Sequence, residues 1–192
     1  VVVTAFKPPL CFEDTIRSIL INEPYEIIVA ADKSCYREMV ARCDNFEKVR
    51  VISVLQKGKR PALADGIRNT RTKIVALVDD DIRWCPTFLE KLIAPFQQDE
   101  NIGGVGCKHE ARIRGFFDFW RIMADMRLAV RFLELMATTT VDKGASCISG
   151  RTACYRTKIV QNEELYEYLT NEHFFGMKLL SGDDKNITRF IM

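Results

Sequence analysis

Residues 74–81 read IVALVDDD, five apolar residues running straight into three carboxylates. A short apolar run of this length fits a strand covered on both faces, the kind that parallel sheets contain. The acids mark where the chain leaves the core. Working back toward the N-terminus, Val1 to Ala5 (VVVTA), Glu26 to Ala31 (EIIVAA) and Val49 to Leu55 read as three more strands. Between them Glu13 to Asn22, Cys35 to Cys43 and Pro61 to Thr70 carry helical patterns, the first with acids in its opening turn and the last with Pro at its start. The order βαβαβαβ predicts an α/β fold with a mostly parallel sheet and helices on both faces. Ligands of such a sheet gather beyond the carboxyl ends of its strands.

Toward the C-terminus the pattern is less regular. Pro86 to Phe96 is expected to be a helix and Ile102 to Cys107 a Gly-rich strand. Gly115 to Ala137 reads as one long helix or two. Within it Asp118, Arg121 and Asp125 share a face at about 100° per residue, whereas Arg127, Arg131 and Glu134 fall on the opposite one, which predicts a break near Asp125. Its apolar residues Phe116, Phe117, Phe119, Trp120, Met123 and Met126 are expected to pack in the core. Glu163 to Leu180 and Lys185 to Met192 read as helices, and no internal repeat or linker interrupts the chain.

Composition narrows the class. With 192 residues, 47% hydrophobic and 28% charged, the chain has ordinary globular usage and enough length for one core, which excludes disordered and fibrous proteins. Lys+Arg 28 against Asp+Glu 26 leaves +2, too balanced for a nucleic-acid partner. The seven cysteines include no C-x-x-C pair, so reduced thiols are expected rather than disulfides or a zinc site. No run approaches the roughly 20 apolar residues that span a bilayer. A chain that opens on Val1 and stops at Met192 inside a helical pattern reads as a piece of a longer protein. His109 and His173 lack partners at ligand spacing and receive no role.

The strand ends carry the chemistry. Three adjacent carboxylates repel one another unless a cation offsets them. In extended backbone Asp79 and Asp81 point the same way and Asp80 the other, so the useful pair is Asp79 with Asp81, whose hard oxygens suit Mg²⁺ or Mn²⁺. A solvated acidic turn explains the same three residues. Lys57, Lys59 and Arg60 follow the third strand and suit phosphate, or form a basic surface loop. Asp32 ends the second strand, where it can accept hydrogen bonds from a base or ribose, or cap the next helix.

The series VVVTAFKPP, EIIVAADKS, KGKRPALADGIR, IVALVDDDIRWCP, SCISGRTACYR and SGDDKNIT, in this order, resembles the family 2 glycosyltransferases. Within them it is most similar to membrane-bound processive polysaccharide synthases of the hyaluronan, chitin and NodC-like chitooligosaccharide type. The resemblance implies a GT-A fold over 1–192, with residues 1–108 as the nucleotide-sugar half and 109–192 as the acceptor and catalytic half. It implies a UDP-sugar donor whose uracil is held by Asp32 with Thr4 and Lys7, and whose diphosphate lies against Lys59. Asp79 and Asp81 match the metal-binding D-x-D, Ser149 and Gly150 the acceptor platform for a glycan. Asp183 and Asp184 match the G-[ED]-D that supplies the catalytic base, the base falling on Asp184.

The same resemblance implies that an R-W motif and membrane helices lie beyond this chain, and that the domain faces the cytosol from a membrane-held protein. A nonprocessive nucleotide-sugar transferase and a catalytically silent nucleotide-sugar-binding subunit are the rival readings. A sugar-nucleotide pyrophosphorylase is disfavoured by the absence of a Gly-rich N-terminal loop.

Overall fold

A computed structural model describes residues 1–113, 115, 118–179 and 182–192. Strands and helices alternate as β1 (Val2–Ala5), α1 (Phe12–Leu20), β2 (Ile27–Ala31), α2 (Tyr36–Cys43), β3 (Val49–Ser53), α3 (Lys59–Arg68), β4 (Ile74–Val78) and α4 (Phe88–Gln98). Then follow β5 (Gly104–Gly106), α5 (Phe119–Asp142), β6 (Thr152–Arg156), α6 (Thr157–Val160), α7 (Glu163–Asn171), β7 (His173–Phe174), β8 (Met177–Lys178) and α8 (Asp183–Ile191). The main sheet has six strands in the order β3-β2-β1-β4-β6-β5.

The first four strands are parallel, as expected. Alternate residues of each strand serve opposite faces. Val3, Val29 and Val78 meet Ile16 of α1, Met39 of α2 and Phe96 of α4 on one side. Val2, Ile28 and Leu77 meet Leu63 of α3, Leu165 of α7 and Ile187 of α8 on the other. Every residue of β1 and β2 is buried, which explains why those segments are apolar apart from Thr4 rather than alternating.

Several expectations need correction. The segment TACYR, read only as part of a motif, is β6, inserted antiparallel between β4 and β5. The Gly-rich strand is shorter than Ile102 to Cys107. The helix expected from Glu163 to Leu180 ends at Asn171 and gives way to the two-stranded hairpin β7–β8, whose turn places Phe175 and Gly176 at positive φ.

The long segment is one unbroken helix of 24 residues beginning at Phe119, without a break at Asp125. It holds no Gly or Pro, and the Asp125 carboxylate accepts the Ala111 N–H at 2.7 Å, outside its own helix. Phe119, Trp120, Met123 and Met126, expected in the core, are exposed; Phe116 and Phe117 lie outside the described residues. Among the described residues no helix is long and apolar enough to cross a membrane.

Candidate active site

β1 lies between β2 and β4, so the chain runs outward in opposite directions from the β1–β4 boundary and leaves a crevice at the carboxyl edge. A cleft of about 220 Å³ opens there. Thr4 and Phe6 from the end of β1, Asp32 from β2, Lys59 from the start of α3, and Asp79 and Asp81 after β4 line it. Asp80 lines it too, because the chain turns after Asp79 instead of staying extended. The expectation that Asp80 points away is therefore wrong.

Asp32 is 8% exposed. Its Oδ1 accepts the Ser34 N–H at 2.9 Å and the Ser34 hydroxyl at 2.6 Å, and these bonds, with Lys57 and Lys33 nearby, hold its carboxyl below the usual range. It does not cap α2, whose N-cap is Cys35. The Asx-type turn leaves the second oxygen without a hydrogen bond among the described residues and available to a ligand.

The acids after β4 sit in a poorly compensated cluster. Burial raises the Asp79 carboxyl despite Lys59, and burial together with Asp81 and Asp79 pushes Asp80 up to about 6. Lys59 Nζ donates to Asp79 Oδ1 at 2.8 Å and lies 3.2 Å from Asp183 Oδ2. Burial alone would depress its ammonium; Asp183 and Asp79 outweigh that and keep it firmly charged. Through this one lysine the strand-end acids and the Gly-Asp-Asp segment meet.

Gly182 precedes α8 at φ +84°, a conformation that favours glycine and swings Asp183 and Asp184 into the first helical turn. Neither acid is the N-cap. A Cβ on Gly150 would stand 3.2 Å from Asp184 Cβ and 3.3 Å from Asp183 Oδ2, so this loop fits closely against both acids only because it carries glycine. The Asp79 N–H donates to the Arg151 carbonyl at 3.1 Å, tying the same loop to the end of β4.

Thr4, Asp32, Lys59, Asp79 and Asp81 thus share one cleft, with Asp183 in contact through Lys59 and Asp184 beside it. Lys7 is exposed and does not line the cleft. Ser149 lines a small neighbouring hollow. Arg60, read with the phosphate-facing cations, is fully buried on the far side of its helix, bonded to Glu172 and to the carbonyls of Tyr168 and Leu179. Sequence reasoning missed Asp80 and Phe6 in the lining. It also missed Cys147, whose thiol is pushed up to about 11 by burial and then by its contact with Asp184.

Among the described residues no group of three or more His, Cys, Asp or Glu could by itself hold a metal ion. The donors present are hard carboxylate oxygens on one wall of an open cleft. They fit Mg²⁺ or Mn²⁺, which take one or two protein carboxylates and fill the remaining positions from water and phosphate.

The sequence pattern described as "Glycosyltransferase like family 2" matches residues 1–192. Type 2 glycosyltransferases of Zymoseptoria tritici and Pyricularia oryzae are 34% and 32% identical over 93% of this chain, which spans only 38% of each. NDP-glycosyltransferase ltbB of Aspergillus luteorubrus is 27% identical over 98% of the chain, which spans 50% of it. A mannosyltransferase from Pyrobaculum calidifontis in complex with GDP-Man and Mn²⁺ superposes with TM-score 0.53 at 17% identity, over 83% of this chain and 45% of its own. S. aureus TarS in complex with UDP-GlcNAc gives 0.56 at 14% identity, over 99% and 52%. At those identities the likeness is one of fold, the GT-A fold. With the family pattern matched from the first residue to the last, this chain belongs to the glycosyltransferase like family 2.

Proposed function

We propose that the chain is the donor-binding and catalytic part of an inverting glycosyltransferase that moves a sugar from a UDP-sugar to the end of a growing polysaccharide. The observation that carries this reading is the Lys59 ammonium between Asp79 and Asp183, which draws acids from two distant segments into one cleft. Asp32, with its open oxygen, and Thr4 take the uracil, with Lys7 at the rim. Lys59 is placed for the diphosphate. Asp79 and Asp81 would hold Mg²⁺ or Mn²⁺, which when bound offsets the charge that grows on departing UDP.

Asp184 takes the proton from the acceptor hydroxyl on the side opposite the leaving group, while Asp183, neutralised by Lys59, keeps its neighbour in place. Ser149 and Gly150 shape the acceptor side. The whole protein is membrane-held through segments outside this chain, with this domain facing the cytosol. A nonprocessive nucleotide-sugar transferase is the second reading, favoured by the similarity to a protein named as an NDP-glycosyltransferase.

Calorimetry with UDP tests the donor site. Binding is expected with Mn²⁺, and is expected to vanish in EDTA and in Asp81→Ala, because without the cation the strand-end carboxylates, only one of which Lys59 pairs, repel a diphosphate. Equal affinity in EDTA would refute the metal-assisted reading. Product length from the whole protein separates the two transferase readings.

A further inference from the structure

The outward side of α5 carries a pattern that the body of the fold does not use. Phe119, Met123, Met126, Val130, Leu133 and Ala137 recur along it at alternating steps of four and three residues, and all six are exposed. A mean step of about 3.5 residues is that of the a and d positions of a coiled coil, whose seam packs against another helix. The opposite side, with Leu128, Phe132 and Leu135, is the one turned toward the fold.

The area is large for an isolated chain. Five of the seam residues, with Trp120 and Val141 on its edge, are 47% to 81% exposed. Together they offer on the order of 800 Å² of apolar surface, about the share that one partner brings to a stable interface of ordinary size. The largest patch on a typical monomer is about 300–600 Å².

Charge selects the occupant. Arg127 and Glu134 are exposed on one edge of the seam, seven residues apart and so out of each other's reach along a single helix. A lipid surface would have to take Glu134 at a boundary that favours basic residues. A second α5 laid antiparallel answers both charges, because the two-fold axis brings the same edge of each helix together. With Val130 layered on the partner's Leu133 and Met126 on the partner's Ala137, Arg127 falls opposite the partner's Glu134, twice, and Trp120 falls opposite the partner's Val141. A slip of one heptad sets Arg127 against its own copy. A parallel pair sets this edge against Ile122, Ala129 and Met136, which carry no charge.

We infer that α5 is a self-association surface, through which two copies of this chain pair antiparallel along the seam, with Arg127 bound to the partner's Glu134 at both ends of the two-fold contact. The interface is isologous and therefore closes at the dimer. None of the residues lining the donor cleft lies in the seam, so pairing does not depend on what the cleft binds.

Sedimentation velocity of the 192-residue chain, kept reduced so that its free cysteines cannot link copies, tests the pairing. A reversible monomer–dimer equilibrium is expected, with the dimer dominant at about 100 µM. Val130→Asp sets two carboxylates near the central layers and should leave a monomer with an unchanged circular dichroism spectrum. Arg127→Glu and Glu134→Arg each place like charges opposite one another twice and should weaken the dimer about tenfold or more. Both exchanges made in one chain should restore it, which keeps the test decisive whatever Val130→Asp does to folding.

A chain that stays monomeric at the highest concentration overturns the assignment, and its cosedimentation with phosphatidylcholine–phosphatidylserine vesicles would give the stripe to a lipid surface instead. A dimer that survives Val130→Asp, single exchanges without effect, or a double exchange that fails to restore what the single ones lose overturns it as well.

Discussion

Asp183 and Asp184 are neighbours in the first turn of α8 and meet different surroundings. Asp183 is buried at 9% exposure against the Lys59 ammonium, whereas Asp184 faces the Cys147 thiol and is the more accessible of the two. In the whole protein Asp184→Asn is expected to keep UDP-sugar affinity and to lower the initial rate of sugar transfer about 10²- to 10⁴-fold, since an amide cannot take a proton. Asp183→Asn should cost less. Near-normal transfer by Asp184→Asn would place the base elsewhere.

His109 predicts a pH dependence of stability. Its folded-state pKa is depressed from the ordinary 6.5 to about 4, so between those values the unfolded chain binds a proton that the folded one refuses. Stability therefore falls as pH drops from 6.5 toward 4, by on the order of 1–2 kcal/mol once the half-exposed position is discounted for solvent screening. Urea unfolding at several pH values should show the slope, and His109→Asn should flatten it.

Among the elements, α3 approaches β1 closely at Gly66. A Cβ on Gly66 would stand 2.3 Å from Val2 Cγ1 in β1, a distance no packed pair tolerates. Helix propensity favours Gly66→Ala by roughly 0.5–1 kcal/mol, but overpacking costs about 1–3 kcal/mol, so packing wins and the variant is expected to unfold at lower urea. An unchanged midpoint would mean that α3 slides freely on β1. The opposite case is α5, which buries no residue fully. Phe119, Met123, Met126, Val130 and Leu133 form an exposed stripe on one face, while Leu128, Phe132 and Leu135 on the other line the hollow that holds Arg131. Sequence periodicity shows that both faces are apolar in part, but not which one the body of the fold covers.

At the scale of the whole molecule, Arg60 ties the start of α3 to α7, to the chain just after β8 and, through Glu172, to α8. Fully buried, it donates to the carbonyls of Tyr168 and Leu179 at 2.9 and 3.0 Å and to Glu172 Oε2 at 2.7 Å, and that same oxygen accepts Asn186 Nδ2 of α8 at 2.8 Å. Arg60→Ala leaves Glu172 and two carbonyls without their donor and is expected to cost about 3–5 kcal/mol in chemical unfolding. It should also lower transfer, because α8 carries Asp183 and Asp184; a stability loss below about 1 kcal/mol would show that water replaces the network. The sequence alone determined the parallel half of the fold and the acids at its strand ends. Doubly buried strands must be apolar and the acids must leave the core, and both constraints act within a few residues. Only the tertiary structure decided that TACYR enters the sheet reversed, that Lys59 bridges Asp79 and Asp183, and that Arg60 turns inward to Glu172. Strand pairing and charge compensation depend on groups far away along the chain, and no local pattern records which of them will arrive.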